Sequence, residues 1–344
     1  MAAAHHNPSS GGSDRIASRA REVYRRALVW DNHACPPYER CEEFLSKLDL
    51  YARAGVTVVS LNVADDDTDL ADLVRMSGRI RSFVSTHPER YRMIQNAQDI
   101  LRSLDDGRLG VFLDVEGCYA IGEDLGLISV LFDIGVRWMA MVYNRRNAVG
   151  YGVHDETDYG LSDFGVAVAK EMDRVGMIKC CSHTGYRTSL DVMRSSSKPC
   201  IFSHSNPRAV WDHPRNIPDE LIKACAGTNG VIGINGVGIF LGDNDTRAET
   251  IAAHISYVAR LVGPAHVGIG LDSIFDMESS NRNLATRADV WPPEYGYRPG
   301  IRIAEPEELP RVTECLLREG FSNSEIEGIL GRNLLRVAKE VWPR

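Results

Sequence analysis

The stretch MIKCCSHTGYRTSLDVMRSSSKPCIFSHS, residues 177–205, contains two short apolar runs, 177–183 and 199–205, that lead to His183 and His204. Neither run alternates strictly between apolar and polar residues, which is the pattern of a strand buried on both faces of a parallel sheet. A segment with helical spacing joins them. Strand, helix and strand, with a chemically capable side chain at the same end of both strands, is the unit of a (β/α)₈ barrel, in which the carboxyl ends of all strands ring one open face.

The same reading extends outward to six more runs, 27–33, 56–63, 109–117, 136–144, 230–236 and 266–272, which makes eight. Four of these six finish on or beside a residue able to bind a metal or move a proton: His33, Glu116, Tyr143 and Asp272. Helix signals fill the gaps. Ser162 can cap a helix that runs to Arg174 with Gly176 as its stop, and Pro218 opens another with Asp219 and Glu220 in the first turn, where they complement the helix dipole. Strand-helix alternation throughout predicts an α/β fold, a TIM-type (β/α)₈ barrel in one domain over 15–344, preceded by a flexible polar tail over 1–14 that carries His5 and His6. After the last run, 277–303 contains Pro292, Pro293, Tyr295 and Tyr297 with little helical pattern, and reads as a lid or interface arm over the active face.

Lys and Arg total 39 against 47 Asp and Glu, a net charge of −8, which argues against nucleic acid or an anionic membrane as partner. No apolar stretch is long enough to span a bilayer and the N-terminus lacks the apolar core of a secretory signal, so the cytoplasm is the expected location. The 8 cysteines form no Cys-x-x-Cys pair and several fall inside expected strands, so they read as reduced and mostly structural.

The chemistry starts at Asp31-Asn32-His33-Ala34-Cys35. Donors at i and i+2 of an extended segment point the same way, so His33 and Cys35 can touch one ion. A single strand-end histidine is ordinarily a half-buried hydrogen-bonding residue. Three at equivalent ends, His33, His183 and His204, are hard to assign to packing. Glu116, between an apolar strand and Gly117, is costly to bury unpaired and calls for a metal or a strong donor nearby. Asp114 shares its strand parity and reads as a deeper supporting contact rather than a ligand. His266 falls at the opposite end of the last strand and reads as structural, whereas His154 and His213 lie in loops from which they can reach a substrate.

Taken in order, a strand-one His motif, Glu116-Gly117, His183-Thr184, Phe202-Ser203-His204-Ser205, Arg215-Asn216-Ile217-Pro218-Asp219-Glu220 and the Gly-x-Gly-x-Asp that ends at Asp272, the chain resembles the renal or membrane dipeptidase family of zinc peptidases over about 27–337. The resemblance implies a distorted (β/α)₈ barrel, Zn²⁺ as one or two ions, often a homodimer, and hydrolysis of dipeptides. By position it implies that Glu116 bridges two metals, that His183 and His204 hold one and His33 the other, that Asp272 handles the proton of the metal's water, and that Arg215 binds the substrate carboxylate. Two positions depart from the family. Cys35 stands where an aspartate ligand is usual; a thiolate is softer and bulkier, and if the thiol stays protonated only the second metal is tightly held. Tyr143 stands where the better-known dipeptidases have a histidine that polarises the scissile carbonyl, and a phenol can donate to the same oxygen. Tyr143 and the adjacent Asn144 are therefore placed on the substrate.

Arg145, Arg146, Arg187, Arg208 and Arg215 follow strands four to six, and on an acidic protein they suggest a small carboxylate-bearing substrate. The expected activity is hydrolysis, by a metal-activated water, of the amide bond of a dipeptide or small N-acyl amino acid. A mononuclear hydrolase or lyase of another carboxylated metabolite is the runner-up, and a silent binding protein the third reading.

Overall fold

Eight parallel strands pair in sequence order and the last returns to the first. In the computed structural model, which describes residues 10–38 and 41–343, these are β1 (Trp30–Cys35), β2 (Val58–Asp65), β3 (Leu109–Glu116), β4 (Val136–Ala140), β5 (Ile178–Cys180), β6 (Cys200–Phe202), β7 (Val231–Ile234) and β8 (Val267–Ile269). The closed ladder with helices between its strands is the predicted (β/α)₈ barrel. Register shifts between β1 and β2, β2 and β3, and β3 and β4 distort it. Two short strands lie outside the eight runs expected from the sequence: Tyr91–Met93 pairs beside β3, and Ser273–Ile274 pairs with β1 after a break in the last strand.

Strand side chains alternate between two apolar clusters. Val59, Leu61, Val111, Met139 and Ile232 join the surrounding helices in one, while Trp30, Val58, Phe112, Trp138, Ile201 and Val231 fill the lower interior of the barrel. Leu334, Val337, Val341 and Trp342, from and just after the C-terminal helix Asn333–Val341, close that end. Farther along the same strands the buried interior positions turn polar, with Ser60, Asp114 and Ser203. The helix signals hold: Ser162 Oγ accepts from Gly165 N at 2.9 Å to open Asp163–Val175, Gly176 ends that helix at φ 89, and Pro218 precedes Asp219–Gly227.

The ladder stops sooner than the apolar runs do. Tyr143, His183, His204 and Asp272 lie past the last strand residues Ala140, Cys180, Phe202 and Ile269. The chain leaves the extended conformation at Asn144 (φ 51), His183 (φ 66) and Asp272 (φ 62). For residues other than glycine this left-handed region costs about 1–3 kcal/mol and persists where the surroundings over-determine it.

Two boundaries are corrected. Of the expected tail 1–14, residues 1–9 with His5 and His6 lie outside the described residues, while residues 10–14 open a helix, α1 (Ser10–Arg26), whose Ala20, Val23 and Tyr24 join the core. The 277–303 segment begins with a helix, Met277–Thr286, capped by the Asp276 carboxylate, which accepts from Glu278 N and Ser279 N. None of its residues is fully buried, so no apolar stripe marks it in the sequence.

Candidate metal centre

The strand ends bring His33, Glu116, His183 and His204 to one point inside the barrel mouth. Three imidazole Nε2 atoms face Glu116 Oε1, at 3.4 Å from His33 and 3.1 Å from both His183 and His204. That oxygen is buried and makes no hydrogen bond. His183 Nε2 and His204 Nε2 stand 2.8 Å apart, and the His33 and His204 rings stack at 4.2 Å.

Hydrogen bonds behind the rings favour protonation at Nδ1: for His183 Nδ1 the 2.7 Å contact with Asn144 Oδ1 outweighs the 3.3 Å approach of Arg215 Nε. Asn144 Nδ2 donates to Val290 O at 3.3 Å, which leaves Asn144 Oδ1 to accept from His183 Nδ1 at 2.7 Å. Ser203 Oγ donates to Ser182 Oγ at 3.3 Å and accepts from His204 Nδ1 at 2.8 Å. With both Nδ1 atoms protonated, both Nε2 atoms present lone pairs to each other and to a carboxylate oxygen. Three lone-pair-bearing atoms that converge without a proton between them fit a divalent cation, and imidazole nitrogens with a carboxylate are its usual ligands. Burial lowers His183 to about 3, helped by the charge of Arg215, and lowers His204 well below the ordinary range, helped by His33, so both rings are neutral and ready to ligate.

A second donor group shares His33. Its Nε2 lies 3.3 Å from Cys35 Sγ and 3.6 Å from Asp272 Oδ1, with Sγ 3.7 Å from the same oxygen. His33, Cys35 and Asp272 form one metal-sized cluster, and His33, Glu116 and His204 another. Beneath His33, Asp114 faces Nδ1 at 3.2 Å, receives Ser60 Oγ at 2.5 Å and Asn62 Nδ2 at 3.2 Å, and so fixes the ring. Burial opposes a charge on His33, but Cys35, Glu116 and Asp114 together raise its pKa well above the ordinary value. Burial pushes the Cys35 thiol up to about 12 against the pull of His33. Asp272 is raised to about 6, by burial first and by the charge of Glu116, while Asn235 Nδ2 holds its Oδ2 at 3.0 Å.

Residues that the sequence pattern does not single out set this geometry. Asp31, fully buried, accepts Leu271 N at 2.8 Å and so ties β1 to the bend at Asp272. Asp66 accepts Tyr143 N at 2.7 Å, Tyr119 N at 3.0 Å and Asn147 Nδ2 at 3.0 Å, joining the ends of β3 and β4. Its carboxylate lies where a Cβ on Gly117 would be, and Gly117 has φ 123, so only glycine fits after Glu116.

A cavity of about 480 Å³ opens over the cluster, lined by Cys35, Glu116, Tyr143, His183 and Asp272 on one side. Tyr143 stacks on His183 at 4.2 Å, and its hydroxyl, which burial keeps protonated, receives Trp291 Nε1 at 3.2 Å. Asn144 and Arg215 do not line the cavity. Asn144 instead orients His183. Arg215, 1% exposed, donates to Ser205 Oγ at 3.0 Å and His204 O at 3.0 Å, and its Nε lies 3.3 Å from His183 Nδ1. Nor do the other four arginines line it. Arg145 donates to Asp289 O and His154 O, Arg208 to Asn216 O and Pro214 O, and Arg146 lies over the Tyr151 ring. His154 Nε2 meets Tyr297 OH at 2.9 Å and His213 Nε2 meets Tyr295 O at 2.6 Å, so both loop histidines anchor the segment that roofs the cavity. His266 Nδ1 meets Gly230 O, at the opposite end of the barrel. All eight cysteines are free.

Comparison with known proteins places this geometry among relatives. A family model described as membrane dipeptidase, peptidase family M19, matches residues 18–279. Dipeptidase verJ of Clonostachys rogersoniana is 28% identical over 264 residues, 76% of this chain, and the match spans 63% of the length of that curated relative. The crystal structure of an amidohydrolase from Pseudomonas aeruginosa superposes with a TM-score of 0.83 at 26% identity, covering 94% of this chain and 99% of that one. The fold is shared with the probable dipeptidase PvdM of the same organism, at a TM-score of 0.82 and 18% identity over 95% of this chain and 98% of that one.

Proposed function

The chain belongs to the membrane dipeptidase family, peptidase family M19, and from that premise we propose that it is a metal-dependent hydrolase that cleaves the amide bond of a dipeptide or a small N-acyl amino acid. The observation that carries the proposal is the meeting of the His183 and His204 Nε2 atoms, 2.8 Å apart, on an oxygen of buried Glu116 that makes no hydrogen bond. In this reading His183, His204 and Glu116 would hold one ion, and His33 with Glu116, and with Cys35 where its thiol ionises, would hold a second. The nitrogen, oxygen and sulfur donors suit Zn²⁺. A divalent ion held there would supply polarisation of the scissile carbonyl and a water that is nucleophilic near neutral pH.

The chain's own groups do the rest. Tyr143 OH donates to the carbonyl oxygen as it gains charge, and the Trp291 indole, which donates to the same hydroxyl, directs that proton inward. Asp272, held on one side by Asn235, carries a proton on its other oxygen from the water to the departing amine. Asn144 and Arg215 hold the His183 and His204 pair rather than the substrate. The same reading places the protein in the cytoplasm, in keeping with free cysteines throughout, and as a homodimer, with neither nucleic acid nor membrane as partner. Among the described residues no helix is long and apolar enough to cross a membrane.

Elemental analysis of protein purified without added zinc, followed by assay of the metal-loaded and chelated forms on a panel of L,L and L,D dipeptides, tests the proposal. Bound zinc and chelator-sensitive cleavage are expected. A protein that retains no divalent metal, or that cleaves equally well without it, would sink the reading.

A further inference from the structure

The cavity over the metal centre has two unlike walls. Beyond the ligands, Val237 and Phe240 from the turn after β7 meet Leu284, Trp291, Ile301 and Ile303 from the 277–303 segment. These side chains form a cluster separate from both apolar clusters of the barrel, so the packing of the barrel does not account for them. Four of the six, Leu284, Trp291, Ile301 and Ile303, come from the 277–303 segment that roofs the cavity.

Charge on the lining points the same way. Arg282 is its one basic side chain among the described residues, 55% exposed and already paired with Glu278 at 2.8 Å, while Asp65, Glu116, Asp272 and Asp276 are all acidic. A substrate carboxylate finds no partner on the apolar wall. A hydrocarbon side chain placed there leaves water in proportion to its area, and about 480 Å³ holds a dipeptide with one large side chain.

Resting on the hydrolase reading, we infer that this wall selects the substrate: one residue flanking the scissile amide carries a bulky apolar side chain, branched aliphatic or aromatic, seated against Phe240, Leu284, Trp291 and Ile303. The extra methylenes find this cluster on one side of the site, so the preference falls on one side of the amide and not on both.

The unaltered, zinc-loaded protein is assayed for kcat/KM on Ala-Ala, Leu-Ala, Ala-Leu, Phe-Ala and Ala-Phe, and its affinity for free alanine, leucine and phenylalanine is measured by calorimetry. A preference of about tenfold or more for Leu or Phe over Ala at one position is expected, and Leu284→Ala should narrow that ratio several-fold. Equal or reversed preference at both positions overturns the inference and leaves the hydrolase reading standing. If neither these dipeptides nor N-acetyl-alanine, N-acetyl-leucine and N-acetyl-phenylalanine are cleaved, the hydrolase reading falls and the amino-acid affinities decide: leucine or phenylalanine about tenfold tighter than alanine upholds the wall's selectivity, and equal affinities overturn it.

Discussion

The two halves of the candidate metal centre share Glu116 and His33's stacking contact with His204, yet they are built to different standards. Around His183 and His204 each ring is locked from behind, by Asn144 and by Ser203, and both rings are neutral. Around His33 the ring is locked by Asp114 but is drawn toward its protonated form, and its neighbour at ligand distance is a thiol that burial also keeps protonated. If the site holds metal, the first half presents neutral rings to a cation as it stands. The other must lose protons before a cation can enter, which weakens apparent affinity and makes it depend on pH. A ligand's readiness is thus decided by the groups behind it, and the same residue types on one ring of strand ends do not make equivalent sites.

The harshest way to break this comparison is to remove a ligand from the ready half. His204→Ala or His183→Ala should abolish tightly bound metal and activity, measured by elemental analysis and dipeptide assay, while circular dichroism shows a folded barrel. Full activity in either variant would place the metal elsewhere. The next effect comes from Asp272→Asn, which keeps shape and hydrogen bonding but cannot carry the proton. We expect kcat to fall by roughly 10²–10⁴, the range for loss of a general acid-base group, with metal content nearly unchanged. Metal loss in parallel would make Asp272 a ligand of the His33 half and move the proton transfer to another group.

Sharper resolution comes from the residues behind the rings. Asn144→Ala releases His183 Nδ1 and should weaken metal binding in the ready half by about 10- to 100-fold, the usual effect of losing a ligand's orienting partner. Asp114→Asn removes the carboxylate beneath His33, and we expect it to leave the tight metal in place and to depress only occupancy of a second ion at high zinc. Competition with a chromophoric chelator separates the two. Equal loss of tight metal in both variants would show a single site fed by all three histidines.

The same physics decides how much of the centre is legible in the sequence. The ends of β1, β3, β5, β6 and β8 stand out because a His, Glu or Asp directly after an apolar run has no packing reason to be there. Asp66 does not stand out, since it lies in the run Asp65-Asp66-Asp67-Thr68-Asp69 and nothing along the chain says which carboxylate turns inward to hold Tyr143 N. Asp31 and Asn144 look like neighbours of the chemistry, and only their hydrogen bonds reveal them as its fixings. The loop arginines mislead for a definite reason: a guanidinium fork suits peptide carbonyls as well as carboxylates, and Arg145 and Arg208 serve to tie loops together. Helix Met277–Thr286 escapes detection because it buries no side chain completely and so has no apolar face to read.

The smallest and most telling effect concerns Cys35. Its thiol does reach the site, 3.3 Å from His33 Nε2, but its backbone is held in place by its neighbours. Ala34 and Cys35 pair with Ser273 and Ile274, Phe275 N donates to Cys35 O at 2.9 Å, and Pro36-Pro37 stiffens the chain on the C-terminal side. A zinc-sulfur bond of about 2.3 Å must then fit where an oxygen ligand needs about 2.0–2.2 Å. The expectation is one tightly bound metal in the unaltered protein. Cys35→Ser should leave that metal in place, whereas Cys35→Asp should recruit a second and raise dipeptide cleavage by about tenfold, the lower end of what reshaping a ligand's surroundings produces. Cobalt substitution provides a reading independent of turnover, because a coordinating thiolate gives a sulfur-to-cobalt charge-transfer band that histidine and carboxylate do not. Absence of that band with one equivalent of cobalt bound upholds the unequal halves. A strong band lost in Cys35→Ser, together with an anomalous-scattering map showing two full metals and one bonded to Cys35 sulfur, would make the halves equal and the departure from aspartate a choice of softer metal.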